Sequence, residues 1–68
     1  MDLKIGEEGI VEAFSDTRIA SNLLTIGIIP DTPISLIRKA PFGGAVCLKL
    51  GRTFVAVRST EAKSILIR

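Results

Sequence analysis

Between residues 23 and 43 the chain reads Leu-Leu-Thr-Ile-Gly-Ile-Ile-Pro-Asp-Thr-Pro-Ile-Ser-Leu-Ile-Arg-Lys-Ala-Pro-Phe-Gly, and no other run constrains the fold as tightly. Gly27 follows the last apolar residue of a helical pattern, where a chain leaving a helix often needs a positive φ. Pro30 and Pro33 bracket Asp31 and Thr32, so the chain cannot re-enter a helix and must become extended. Residues 34–39 then read as a strand, and Ala40-Pro41-Phe42-Gly43-Gly44 reverses it. One short stretch thus hands a helix over to a small sheet.

The flanking segments supply the other elements. Leu3 and Ile5 alternate about Lys4, and residues 6–9 (Gly-Glu-Glu-Gly) read as a turn. Residues 10–14 read as a first strand with Ile10, Glu12 and Phe14 on one face and Val11 and Ala13 on the other. Ser15, Asp16 and Thr17 are three candidate N-caps for the helix that follows. Ile19, Leu23 and Ile26, at offsets of four and three, form one apolar stripe, widened by Ala20 and Leu24. A helix of about ten residues does not persist in isolation, so it must cover a sheet.

In the strand at residues 34–39, Ile34 and Leu36 oppose Ser35, with Ile37 outward. In residues 45–50, Val46, Leu48 and Leu50 point one way and Cys47 and Lys49 the other. Gly51-Arg52 is a tight turn leading to a strand over residues 53–58, apolar on both faces from Phe54 to Val57. Ser59 or Thr60 can cap a single helical turn, and residues 64–68 read as the last strand. Five short strands with one short α-helix inserted after the first describe a mainly β fold, a bent antiparallel sheet closing into a barrel. Closure removes the edges that so apolar a sheet would otherwise expose.

Sixty-eight residues make one domain, expected to span the whole chain. A chain this short buries only about 60% of its unfolded surface. Yet 47% of its residues are hydrophobic and its mean hydropathy is positive, which implies a dense core or an apolar surface kept for a partner. No run of about 18 apolar residues exists, so no spanning helix and no membrane insertion is expected. The first residues show no basic-then-apolar leader, and a single cysteine, Cys47, cannot form an internal disulfide. A cytoplasmic location is the default expectation. Nine Lys/Arg outweigh seven Asp/Glu, and the bases gather in the second half (Arg38, Lys39, Lys49, Arg52, Arg58, Lys63, Arg68). An anionic partner and a solvated sheet face are both open readings of that asymmetry.

The chain has no histidine, which removes the Ser/His/Asp and Cys/His arrangements and leaves no ordinary general base near neutral pH. The only adjacent carboxylates, Glu7 and Glu8, fall in a turn where neighbours point apart into water. Neither Gly43-Gly44 nor the Gly6–Gly9 pair is followed by the Gly-Lys-Ser/Thr of a phosphate loop. Cys47 has no second ligand at metal-site spacing and reads as a small structural residue. No catalysis, cofactor or intrinsic metal site is therefore expected. Small barrels can bind nucleic acid with bases and exposed aromatics, but only Phe14, Phe42 and Phe54 are present, the last flanked by core-like residues. Nucleic acid is not an expected partner.

Four groups of residues, in order, resemble the FeoA family of ferrous iron transport accessory proteins: Leu23-Leu24-Thr25-Ile26-Gly27-Ile28-Ile29-Pro30, then Ile34 to Arg38, then Ala40-Pro41-Phe42-Gly43-Gly44, then Arg58-Ser59-Thr60-Glu61-Ala62-Lys63-Ser64-Ile65. The pattern departs at Asn22, where arginine is common, at Asp31, where glycine follows the loop proline, and at Gly44-Ala45, where Asp-Pro is frequent. Asp31 tolerates the turn geometry of a glycine. The resemblance implies an SH3-like barrel and a cytoplasmic protein that contacts the FeoB-type membrane transporter with its GTPase domain. A similar domain in metal-dependent transcriptional regulators gives the alternative, a stand-alone regulatory domain. Candidate partner-binding residues are Leu24, Ile28 and Ile29 at the helix end, with Arg38 and Lys39 on the following strand. The three apolar ones can equally plug the barrel mouth or pack between identical subunits of a homo-oligomer.

Overall fold

The computed structural model describes residues 1–68 and measures 27 × 21 × 19 Å. Its elements are β1 (Glu8–Phe14), α1 (Thr17–Thr25), β2 (Pro33–Lys39), β3 (Ala45–Leu50), β4 (Thr53–Arg58), α2 (Ser59–Ala62) and β5 (Ile65–Ile67), with a 3₁₀ turn at Pro41–Gly43 between β2 and β3. All strand pairs are antiparallel, in the order β4-β3-β2-β1-β5. β1 is shared between two halves of the sheet. Its first residues pair with β2 (Gly9 opposite Ile34) and its last with β5 (Phe14 opposite Ile65). A register shift between Val11 and Ala13 lets it turn from one half to the other. This is the mainly β, five-stranded SH3-like arrangement with a helix after the first strand.

The core follows the alternation of the strands. Val11, Ile34, Leu36, Val46, Leu48, Val57 and Ile65 point inward, and Leu23, Ile28 and Ala62 complete the cluster from the helices and the loop after α1. Each fully buried leucine or isoleucine contributes about 1.5–3 kcal/mol relative to exposure. The one buried polar side chain, Ser64, donates from Oγ to the Glu61 carbonyl at 2.8 Å, and its own carbonyl accepts from Ser15 N–H at 2.8 Å.

Local chemistry explains most boundaries. Asp16 caps α1, its Oδ1 accepting the Arg18 amide at 2.9 Å. Its carboxyl is held below the usual aspartate range, first by that backbone bond and then by the Arg18 side chain. Asp31 occupies the left-handed region at φ 70°, as the departure from glycine at this position requires.

Several expectations need correction. Residues 3–5 form no strand, and the turn lies at Ile5 and Gly6, where the Glu7 amide donates to the Lys4 carbonyl at 2.9 Å, because Glu8 and Gly9 already pair with β2. The cap of α2 is Arg58, not Ser59 or Thr60, with the Arg58 amide reaching Glu61 Oε1 at 3.4 Å. Ile26 leaves the helical stripe, since it is the C-cap residue and is 42% exposed. Phe54 is 59% exposed, not core-like. It pairs with Lys49, on the outer face, while Val55 and Val57 take the inner positions opposite Leu48 and Val46.

Candidate functional site

The two parts of the sequence-predicted contact set occupy different places. At the end of α1, Ile26 is the C-cap and Gly27 follows at φ 99°. The Gly27 amide donates to the Leu24 carbonyl at 3.1 Å and the Ile28 amide to the Leu23 carbonyl at 2.9 Å. These two bonds make a Schellman motif, which brings the residue after the glycine against the last turn of the helix. Ile28 is therefore fully buried beside the equally buried Leu23. Ile28 thus belongs to the core of the isolated chain, with no side-chain surface open to solvent.

Leu24 (46% exposed), Ile26 and Ile29 (50%) remain on the surface around this corner. Ile26 and Ile29 border a shallow groove of about 340 Å³ whose other walls are Pro33, Leu50 and the β3–β4 turn at Gly51. Ile26 and Ile29 share this groove, Leu24 is exposed on the last helical turn before it, and exposed large aliphatic side chains of this kind are ones that partners cover. Ile26, expected from the helical stripe to face the sheet, is exposed instead. The helix C-cap itself was the signal, because that position turns away from the helix axis.

Arg38 and Lys39 lie at the opposite end of β2, roughly 20 Å along the strand from Pro33 at 3.3 Å per residue. They also part from each other. A register shift between Leu36 and Arg38 makes Ile37 an extra residue, so Arg38 pairs with Cys47 on the outer face and Lys39 with inward-facing Val46 at the rim. Arg38 borders an apolar groove of about 260 Å³ with Ala40, Pro41, Ala45, Cys47 and Ala56. Lys39 borders a separate cleft with Met1, Leu3 and Lys63. The five candidate residues are therefore not one patch.

Between β2 and β3, Phe42 stands wholly exposed with φ 65°. Cys47 is a free thiol, half-buried in the second groove. Nowhere do three or more His, Cys, Asp or Glu side chains converge to hold a metal ion. No helix is long and apolar enough to cross a membrane.

The FeoA domain family model matches residues 1–68. No curated protein sequence matches the chain. Among solved structures, FeoA of Stenotrophomonas maltophilia, described as a prokaryotic SH3 domain protein and solved in complex with zinc, is 27% identical with a TM-score of 0.78; the match covers 97% of this chain and 84% of that one. An FeoA-like protein from Clostridium acetobutylicum is 26% identical with a TM-score of 0.87, over 98% of this chain and 79% of the other. A manganese-dependent transcriptional repressor shares the fold, with a TM-score of 0.85 at 22% identity over 97% of this chain and 38% of the repressor. With its whole length matched by the family model and its fold shared with two FeoA-type structures, this chain belongs to the FeoA family.

Proposed function

We propose that this protein is an accessory of ferrous iron uptake that works in the cytoplasm by touching a FeoB-type transporter on its cytoplasmic side, without catalysing a reaction of its own. Family membership over residues 1–68 supports the pathway. The observation that carries the mode of action is the exposure of Leu24, Ile26 and Ile29 around a helix corner that Ile28 anchors. Apolar side chains on a rigid corner suit docking: the Schellman bonds fix the backbone, so little ordering entropy is lost on contact.

The chemistry supports contact over catalysis. The chain has no histidine to act as an ordinary general base near neutral pH. The reading as a regulatory domain of a metal-dependent repressor has the shared fold behind it and no residue of its own.

Ferrous iron uptake by cells that carry the transporter and lack this protein tests the reading. Supplying Leu24→Ser with Ile29→Ser should restore less uptake than the unaltered protein at equal abundance. Equal restoration would remove these side chains from the mechanism.

A further inference from the structure

The strand order ends at β4 on one side, and no strand lies beyond it. The Ser59 amide donates to the Gly44 carbonyl at 3.4 Å, which sets the alternation of the β3–β4 ladder. Val46–Val57, Leu48–Val55 and Leu50–Thr53 are the pairs that exchange backbone bonds, and Lys49–Phe54 and Cys47–Ala56 are the pairs that do not. The amides and carbonyls of Phe54 and Ala56 thus point away from β3, toward solvent. A strand edge left open in this way is a template for a further strand.

The charge around that edge is mainly positive, the exception being Glu61 at its far end, whose Oε1 already accepts the Arg58 amide at 3.4 Å. From Thr32 to Thr60 the sequence contains no Asp or Glu, and it carries Arg38, Lys39, Lys49, Arg52 and Arg58. None of these five bases is in an ion pair; the two ion pairs of the molecule are Arg18–Asp16 and Arg68–Asp31. Lys49 stands with Nζ 5.9 Å from the centre of the Phe54 ring, at the edge itself. A second copy of this chain is a poor occupant. Setting Phe54 of one copy opposite Ala56 of another, antiparallel, engages all four free backbone groups of each edge but brings Arg52 opposite Arg58, and like charges directly opposite are destabilising.

The geometry points to the open edge of β4 as a docking site for an extended acidic peptide segment that adds antiparallel to the sheet. Its backbone meets the free amides and carbonyls of Phe54 and Ala56. Its outward side chains are carboxylates facing Lys49, Arg52 and Arg58, and its inward ones are apolar and extend the Val55 and Val57 row. This surface is distinct from the Leu24–Ile29 corner, and the inference stands whether or not that corner binds a transporter. Nucleic acid does not fit the edge as well, because a phosphate backbone has no alternating N–H and C=O groups to pair with a strand.

The probe is an end-capped eight-residue peptide of alternating glutamate and valine, titrated into the full chain labelled with nitrogen-15. The expected result is saturable shifts confined to β4 and its neighbours, with slowed amide exchange at Phe54 and Ala56. The same peptide with lysine for glutamate should bind at least about tenfold more weakly, as charge complementarity requires. The glutamate peptide N-methylated on alternate backbone amides should not bind. Ala56→Pro removes the open amide while leaving the bonds of Val55 and Val57 to β3 intact, and it should abolish binding in a protein whose remaining spectrum is unchanged. Lys49→Glu with Arg52→Glu should weaken binding by a similar factor and gives a second test should the proline variant unfold. The proposal is overturned if no peptide binds, if the lysine peptide binds equally, if shifts map outside β4, if Phe54 and Ala56 become protected by self-association without peptide, or if a single-stranded oligonucleotide protects those two amides.

Discussion

The Ile28 amide donates to the Leu23 carbonyl at 2.9 Å, and both side chains are fully buried against each other at the foot of α1. This one bond decides which of two consecutive isoleucines belongs to the core. Ile28 is drawn inward by the helix end, and Ile29, the next residue, is left half open. The pair should therefore respond oppositely to the same change. Ile28→Ser removes a buried side chain and buries a hydroxyl, at a cost of at least about 3 kcal/mol. A domain of this length carries roughly 3 to 10 kcal/mol in all, so the variant should melt at least about 12 °C below the parent. Ile29→Ser should keep the melting temperature within about 2 °C of the parent, as surface changes do. Thermal denaturation followed by circular dichroism reads both.

Asp31 holds a left-handed backbone and accepts a hydrogen bond from the Arg68 side chain. Residues other than glycine and the short Asx side chains lose about 1–2 kcal/mol in that conformation. Asp31→Val should cost that amount plus the exposed ion pair, worth at most about 1 kcal/mol. Asp31→Gly removes the pair and relieves the backbone, so its stability should lie within about 0.5 kcal/mol of the parent. Chemical denaturation midpoints at constant slope distinguish the two.

Gly9 lies in β1 beneath β5, and a Cβ there would collide with Ile67 Cγ2 and touch Leu3 Cδ2. Gly9→Ala should destabilise by about 1–3 kcal/mol through overpacking. Adding Ile67→Ala removes the colliding methyl, so the double variant should be less unstable than the sum of its single changes. A double-mutant cycle by urea denaturation measures this coupling.

Asp16 has its pKa lowered by the Arg18 amide and, after it, the Arg18 side chain. A carboxylate with a depressed folded pKa contributes its stabilisation in full above the unfolded value, here the ordinary 3.8, and loses it as pH falls through the lower folded value. The parent should therefore lose part of its thermal stability below that window, and Asp16→Asn, which still caps the helix, should show a smaller loss over the same range. Melting temperatures of the two proteins at neutral pH and at successively lower values down to the folded titration test this.

Much of the architecture was legible because local rules and fold agree. Gly27 and Asp31 announced their positive φ, Asp16 its cap, and the alternation of Val46, Leu48 and Leu50 their inner face. The misreadings sit where a two-residue or helical period breaks. The extra residue Ile37 reverses the faces that plain alternation would give Arg38 and Lys39, and no composition rule foretells a bulge within an apolar run. Phe54 lies in a run apolar at every position, where alternation gives no face, and only its partner Lys49 shows that it points outward. Ile28 was legible in principle, since the glycine stop implies a Schellman contact between the residue after it and the last helical turn. Of the apolar candidates at the helix end, the structure leaves Leu24 and Ile29 half-exposed and buries Ile28, a split that alternation alone does not give.

The central claim is contact with the transporter through the α1 corner. Calorimetric titration of this protein into the isolated cytoplasmic domain of a FeoB-type transporter, with and without a non-hydrolysable GTP analogue, tests it directly. The account predicts saturable binding in at least one nucleotide state, weakened at least about tenfold, or 1.4 kcal/mol, in Leu24→Ser with Ile29→Ser. Absence of binding in every nucleotide state, or binding that the double variant leaves unchanged, would contradict it.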